Sequence, residues 1–582
     1  MSRTTIRTSS CVFFASFVAA FGGFSVSAAN PPWIARSRGG MVASDSPEAS
    51  RIGAAVLEAG GNAFDAAVAT SLALAVARPQ STGLGGGGFM VGYVAREGRF
   101  VALDFRETAP GSATPQRFAG LIAKQGDGPS PSVYGGNAVG VPGQIAGLEE
   151  IRRRFGTRSL AELVRPARGL AERGFEIDEH YVRSCREVQR DLARWPKLAR
   201  IATGLRPWLL PGGEPPTIGK RLKRPQLADA LQRIAREGPA AIYGGEIGAA
   251  IVKAVHDAGG RMTLDDLRRY RVIERTPVRG TYFCRTGGYE VVSMPPPSSG
   301  GVCLVEALNI MEAASGGVRG ELFARHRSHL LVEAMKHAFA DRARWLGDPD
   351  FTDIPIARLI GKDYAARLAT RIDPQRTRPP EQYGSGQATD DHGTSHFCVW
   401  DAEGNVVSLT ETINGLFGSL LVAEPWGIVL NNEMDDFLTA PGKPNMFGLR
   451  QSAANLVGPG KRPLSSMSPA IVLVRGRPVL AIGAAGGPRI ISAVLNVMLH
   501  VMEGQTLEQA MRAPRLHHQW RPDEVFFDRT PPADLVAELT ACGHKLAERR
   551  KGGVVQAIRR LDDGTLVGAS DPRKGGRPAG AD

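Results

Sequence analysis

The sequence predicts an α+β fold in which two sheets lie between helical layers, a four-layer αββα sandwich. Three observations predict it. Beyond residue 394 strand-like runs dominate, each short and bounded by Gly, Asn or Pro. Before residue 394, helical stretches surround a strand pair near residues 89–104. An apolar strand at residues 478–483 leads through glycines straight into a helix.

Taken in order, residues 48–58 read as a helix stopped by Gly60-Gly61, and residues 63–76 as a second helix ending before Pro79. After a glycine cluster come strands at 89–95 and 100–104. Residues 150–275 are Arg-rich and helical in pattern. A Pro/Gly/Ser loop at 294–301 precedes a helix at 302–314. Residues 374–393 are rich in Pro, Gly, Gln, Asp and Thr and read as an exposed connector. Strands follow at 394–400, 406–412, 428–432, 470–475 and 478–483, then a helix at 488–503 and strands near 554–569. There is no internal repeat.

Composition sets the bounds. The chain has 582 residues, 43% hydrophobic and 22% charged, an ordinary make-up for a globular protein. Its length alone suggests roughly three or four domains. Seventy residues are glycine, about 12% against an average near 7%, as expected where backbone passes close to a ligand. Arg3 and Arg7, an apolar stretch at 11–24, and Ser25-Val26-Ser27-Ala28-Ala29 have the layout of a secretory signal spanning residues 1–29. The stretch falls short of the ~18 residues of a bilayer span, and no later segment reads as membrane-spanning; an uncleaved anchor is the alternative. A periplasmic or secreted bacterial protein without stable membrane insertion is therefore expected.

Losing residues 1–29 removes two arginines and no acid, taking the net charge from +13 to +11. Basic residues are dispersed among acids without interleaved aromatics, which argues against a nucleic-acid interface. Cys185, Cys284, Cys303, Cys398 and Cys542 are odd in number and lack CxxC spacing, pointing to neither a disulfide framework nor a zinc site. Cys303 and Cys398 sit in apolar runs, as buried thiols do.

The most informative residue is Thr394, in the run Asp391-His392-Gly393-Thr394-Ser395-His396-Phe397. A glycine precedes a hydroxyl residue that opens a strand; the turn Asp401-Ala402-Glu403-Gly404-Asn405 leads to a second strand. A threonine so placed can attack the carbonyl of Gly393, sever its own chain, and then use its freed amine as base for its own hydroxyl. By itself a Gly-Thr before a hairpin is an ordinary turn. Its surroundings change that. Upstream stand Leu84-Gly85-Gly86-Gly87-Gly88-Phe89-Met90, Asp104-Phe105-Arg106-Glu107-Thr108-Ala109-Pro110 and Met294-Pro295-Pro296-Pro297-Ser298-Ser299-Gly300-Gly301. Downstream stand Thr412-Ile413-Asn414, Asn431-Asn432-Glu433-Met434-Asp435-Asp436, Arg462-Pro463-Leu464-Ser465-Ser466-Met467-Ser468-Pro469 and Gly483-Ala484-Ala485-Gly486-Gly487-Pro488-Arg489.

This ordered set resembles the γ-glutamyltransferase (γ-glutamyl transpeptidase) family of N-terminal-nucleophile hydrolases, over nearly the whole chain beyond its first thirty-odd residues. The resemblance implies the αββα architecture and a single folded unit that cuts itself between Gly393 and Thr394. The products would be a large subunit, 30–393, and a small catalytic subunit, 394–582, held as a heterodimer. It implies glutathione and other γ-glutamyl compounds as donors, water, amino acids or dipeptides as acceptors, and no metal or organic cofactor.

It also assigns roles. Thr394 is the nucleophile and Thr412 its hydroxyl partner on the second hairpin strand. Gly486 and Gly487, between a strand and Pro488, offer backbone N–H groups at a helix N-terminus to an oxyanion; a tight strand-to-helix turn explains the same glycines. A zwitterionic substrate end needs a fixed cation and a carboxylate. Arg106 suits the α-carboxylate and Glu433 with Asp436 the α-ammonium, while Asn414, Ser465 and Ser466 complete the hydrogen bonds; singly, Arg106 or Asp436 reads as a structural salt bridge. The run Gly85–Gly88 lacks a following Gly-Lys-Ser/Thr, so close backbone packing is preferred to a phosphate loop. His517-His518 and His326…His329 lack carboxylate or Cys company at metal spacing and read as ordinary histidines. Residues 441–462 resemble a lid loop, in which Phe447 replaces a Tyr and has no hydroxyl to offer Asn414. Rival readings are a glutaryl (cephalosporin) acylase or poly-γ-glutamate-processing enzyme on the same fold, and an uncleaved periplasmic binding protein.

Overall fold

The computed structural model describes residues 1, 31–316, 321, 324–384, 393–439, 445–446, 449, 452–548 and 551–582. The expected leader, Met1 apart, lies outside them, as does Phe447. Pro32–Asp582 forms one unit and Met1–Pro31 another, so the length-based expectation of three or four domains does not hold.

Two seven-stranded antiparallel sheets dominate the larger unit. The first runs, in spatial order, Ile34–Ser37, Leu566–Ser570, Val554–Arg560, Arg477–Ala485, Ala470–Val474, Gly287–Ser293 and Val278–Cys284. The second runs Ala579–Ala581, Gly40–Ser44, Ser395–Trp400, Val406–Thr412, Gly87–Val94, Arg99–Phe105 and Ile273–Arg275. Side chains alternate across a strand, and here both faces are covered. Phe397 and Val399 join a core with helix Ala63–Ala77. Cys398 and Trp400 face the other sheet, in a core with Ile471, Leu480 and helices Gly300–Ala314, Arg327–Trp345 and Arg489–Met502. Ser408 stitches the sheets together: its Oγ donates to Ile482 O at 3.0 Å and accepts the Ala470 N–H at 3.1 Å. The order helix, sheet, sheet, helix is the predicted sandwich.

Local chemistry explains the elements. Ser46 caps helix Pro47–Glu58, with proline at its first turn. Asn62 and Asp65 form a capping box on Ala63–Ala77. Every residue of that helix is buried, which is why it is apolar all round rather than amphipathic. The glycine run packs as read: a Cβ on Gly85, Gly86, Gly87 or Gly88 would lie 2.1–2.5 Å from a backbone oxygen of a neighbouring segment.

Several expectations are corrected. Both sheets take strands from either side of residue 394, whereas the sequence places most strands after it. Gly40–Ser44 is buried at every position, so it carries no alternation to read, and Ala579–Ala581 is three small residues at the chain end. Residues 428–432 shrink to Ile428–Val429, paired with Val422–Ala423. The later helix is Arg489–Met502 with Pro488 as its cap, not its first turn. Cys303 and Cys398 are buried thiols as expected.

Candidate active site

The site grows from the hairpin register. Ser395 pairs with Glu411, so Thr394, just before the strand, falls opposite Thr412, the last residue of its partner. Their hydroxyls lie 3.3 Å apart, and both donate to the Gly393 carbonyl oxygen, Thr394 at 2.8 Å and Thr412 at 2.9 Å. Thr412 Oγ1 also accepts the Asn414 N–H at 2.8 Å. Both threonines are buried.

Gly393 has φ +85°, and a Cβ there would sit 2.4 Å from Asn414 O. Only glycine fits both the left-handed backbone and the contact. On the other side, Lys574 Nζ donates to Thr394 O at 2.8 Å and pairs with Asp45 at 2.5 Å, which also accepts the Ser395 hydroxyl at 3.1 Å. Burial draws the Lys574 pKa below its usual value, against the pull of Asp45.

Thr394 stands between two cavities. The smaller, about 20 Å³, has room for roughly one water. It brings together Thr394, Thr412, Arg106, Asn414, Asp436, Ser465, Ser466 and Gly487. Gly486 lines the larger cavity of about 310 Å³, with Gly393 and Thr394. Gly486 and Gly487 both have positive φ, 130° and 51°, and their carbonyls accept the Arg489 and Ile490 N–H groups as the helix begins. The loop at 294–301 braces the serines: Ser465 N donates to Pro297 O and Ser299 N to Ser465 O, each at 2.7 Å.

Arg106 is buried and engaged. Its Nη1 lies 2.8 Å from Glu433 Oε2 and 3.9 Å from Glu107 Oε2, Nη2 pairs with Asp436 Oδ2, and Nε donates to Pro463 O at 3.2 Å. The three residues expected to grip opposite ends of a zwitterion thus also pair with each other. Three carboxylates around one guanidinium compete for it. Burial pushes Glu107 up to about 8, against the pull of Arg106, and holds Glu433 well above the ordinary range for the same reason. Of the expected lid, Asn445 Nδ2 donates to Asp436 Oδ1 at 3.3 Å, Met446 N to Asp435 Oδ2 at 2.7 Å, and Leu449 lines the small cavity.

Sequence reasoning missed Glu107, Lys574 with Asp45, and Arg342. Arg342 reaches the small cavity from helix Arg327–Trp345. The usable signal for it is an arginine on the buried, apolar side of a long helix. The histidines have partners that their spacing in the sequence does not show. His329 Nδ1 meets His544 Nε2 at 2.7 Å, and Glu333 lies close enough that the three offer ligand atoms within 4.8 Å of one another. His518 Nε2 lies 3.2 Å from Asp523. His544, His518 and Asp523 reach these partners from elsewhere in the fold or across a turn, so motif spacing does not reveal them. Glu333 accepts from Thr377 and Tyr383, and His329 Nε2 donates to Asp373 O at 2.8 Å.

Comparison with known proteins shows the family. A family model described as gamma-glutamyltranspeptidase matches residues 49–581. The glutathione hydrolase proenzyme of Escherichia coli is 40% identical over 542 residues, 92% of this chain and 91% of its own length. The acylase ACY 1 proenzyme of a Pseudomonas species is 40% identical over 546 residues, 93% of each chain. The cephalosporin acylase structure from Bacillus halodurans superposes with a TM-score of 0.79 at 26% identity, covering 97% of this chain and all of its own. Among the described residues no helix is long and apolar enough to cross a membrane. The chain belongs to the gamma-glutamyltranspeptidase family of enzymes.

Proposed function

We propose that this protein is a self-processing γ-glutamyltransferase and glutathione hydrolase, with Thr394 as its nucleophile. The observation that carries the reading is the Gly393 carbonyl held by two threonine hydroxyls at 2.8 and 2.9 Å. In maturation Thr394 Oγ1 bonds to the Gly393 carbonyl carbon while Thr412 stabilises the developing oxyanion. The C–N bond then breaks, the nitrogen takes up the hydroxyl proton, and water hydrolyses the resulting ester. The products are a Gly393 carboxylate and a free Thr394 amine. That amine has an ordinary pKa of about 7.7–8.0, so near pH 8 a useful fraction is neutral and can accept the hydroxyl proton in catalysis. Because both sheets draw strands from each side of the cut, large and small subunits remain interleaved as a heterodimer.

The donor's γ-carbonyl is attacked by Thr394, with Gly486 and Gly487 N–H groups stabilising the oxyanion. The amine leaves, protonated by the α-ammonium of Thr394, and water or an amino-acid or dipeptide acceptor releases the acyl group. Arg106, with Ser465 and Ser466, serves the α-carboxylate; Glu433, Asp436 and Asn414 serve the α-ammonium. A zwitterion is net neutral, so it can exchange one internal ion pair for two. The cavity of about 310 Å³ on the other flank of Thr394 has room for the leaving dipeptide. Export through residues 1–29 to the periplasm or medium belongs to the same proposal.

The test is Thr394→Ala. Intact-mass measurement should find one uncut chain that leaves γ-glutamyl-p-nitroanilide unchanged, while the unaltered protein yields two chains, the smaller beginning at Thr394. A mutant still split at residue 394 sinks the assignment. The similarity to acylases favours a second reading, removal of a glutaryl side chain. Glutaryl lacks the α-ammonium, which would leave the acids around Arg106 without a cation to receive. Faster turnover of glutaryl- than γ-glutamyl-p-nitroanilide would establish that alternative.

A further inference from the structure

Two imidazoles and one carboxylate meet in the interior, at a place that lines neither cavity beside Thr394. His329 and Glu333 lie four residues apart on helix Arg327–Trp345, so they share one face of it. His544 arrives from near the chain end: helix Ala533–Ala541 stops, Gly543 takes φ +80°, and the His544 N–H returns to Leu539 O at 3.0 Å. Glu538 of that helix accepts the His329 N–H at 2.9 Å, which sets the two helices against each other. A ring nitrogen of each histidine and one Glu333 oxygen lie within 4.8 Å of one another, and all three residues are buried.

Hydrogen bonds fix which atoms face inward. A carbonyl only accepts, so His329 Nε2, 2.8 Å from Asp373 O, carries a proton, and in the neutral ring Nδ1 keeps its lone pair. That nitrogen meets His544 Nε2 at 2.7 Å; between them there is room for one proton and not two. Glu333 accepts from Thr377 Oγ1 at 2.6 Å and from the Tyr383 hydroxyl. These donors hold its carboxylate charged and oriented while leaving each oxygen a further lone pair. The neighbouring cation, Lys336 Nζ, is 3.7 Å from Glu333 but is engaged by Thr377 Oγ1, Arg378 O and Asp523. Imidazoles and a carboxylate are zinc ligands, and a carbonyl and hydroxyls behind them are the outer support such ligands have. Ligands about 2.0–2.2 Å from a tetrahedral ion lie roughly 3.3–3.6 Å apart, so the two rings must part by roughly 1 Å or less. His544 also lines a cavity of about 350 Å³ with His518 and Asp523, which gives an ion a way in and a water to complete its shell.

The geometry points to a binding site for a zinc-class divalent ion at His329 Nδ1, Glu333 and His544 Nε2. The ion replaces the proton shared by the two rings, and the His544 ring carries that proton on Nδ1 instead. Two of the ligands precede residue 394 and one follows it, so in the cut protein the ion clasps the large subunit to the small one. Binding stands on these side chains alone; the clasp rests on the self-cleavage proposed above.

Cobalt(II) is the probe, because its visible absorption reports nitrogen ligation. Purified full-length protein, freed of metal by a chelator, should take up one equivalent that zinc then displaces. His544→Ala should weaken uptake at least roughly 100-fold, and Tyr383→Phe, which only orients Glu333, roughly 10-fold. Zinc should raise the urea midpoint of the unaltered protein and leave that of His544→Ala in place. No uptake, or uptake that both variants leave unchanged, would mean that these side chains form a hydrogen-bond network only, and would overturn the site. Should the variants fail to fold, zinc-soaked crystals of the unaltered protein decide by anomalous scattering. A peak between the three residues supports the site, and a peak elsewhere or none refutes it. Protein that binds cobalt here yet stays a single chain upholds the site and sinks the self-cleavage instead.

Discussion

Replacing Thr412 with valine removes one hydroxyl and almost no volume, so its consequences can be worked from three contacts. Thr412 Oγ1 donates to Gly393 O at 2.9 Å, accepts the Asn414 N–H at 2.8 Å, and lies 3.3 Å from the Thr394 hydroxyl. Thr412 is 2% exposed, so water cannot readily replace the lost acceptor. The orphaned Asn414 N–H should cost about 1–3 kcal/mol of stability. Self-cleavage should suffer more, because negative charge develops on the Gly393 oxygen and one of its two hydroxyl donors is gone. Losing such a donor typically costs about 2.7–4 kcal/mol, or 10²–10³ in rate. Freshly purified Thr412→Val precursor, followed by denaturing gel and intact mass, should therefore remain uncut for at least about a hundred times longer than the unaltered chain. Thr412→Ser keeps the hydroxyl and should cut far faster than the valine variant. A valine variant that splits at the normal rate, or a serine variant as slow as valine, would refute the reasoning.

Three further outcomes follow. Gly393→Ala must adopt φ +85° and bring a Cβ within 2.4 Å of Asn414 O; its left-handed backbone alone costs about 1–2 kcal/mol, and the precursor should accumulate uncut on gels. Lys574→Met leaves Asp45 buried without its ammonium, and urea unfolding should show a loss of about 3–5 kcal/mol; unchanged stability would show the pair is not needed. Burial raises the Glu411 carboxyl to about 7, although Ser71 Oγ and Gln144 Nε2 donate to it at 2.5 and 2.6 Å. A raised carboxyl pKa favours the fold while the group is protonated, so this contribution is complete below about pH 4.5 and disappears as the pH rises through 7, a loss of about 3 kcal/mol. Glu411→Gln should remove that part of the pH dependence, so that its stability relative to the parent improves from pH 5 to pH 8; parallel profiles would contradict it.

Residues near one another in the chain were the most legible. The hairpin after Thr394 could be read because Val406–Thr412 and its partner strand flank a short turn, and antiparallel pairing then makes Thr412 the residue opposite Thr394. The glycines at 85–88, 393, 486 and 487 were legible because side-chain-free backbone is needed where segments nearly touch or φ turns positive. Strands such as Gly40–Ser44, covered on both faces, show no period, and their membership in a sheet comes from the partners that cover them. The contacts of His329 with His544 likewise join positions 215 residues apart.

By itself, then, the sequence determined the layered αββα class, the hairpin bearing Thr394 and the set of polar residues gathered around it, because periodicity, turn chemistry and ordered motifs are local properties of a chain. Only the tertiary structure decided how the charges are shared: Arg106 held by Glu433 and Asp436, Lys574 by Asp45, and Arg342 hydrogen-bonded to the hydroxyls of Ser299 and Ser466. Electrostatic pairing depends on distance through space and on exclusion from water, and neither is written in the order of the residues.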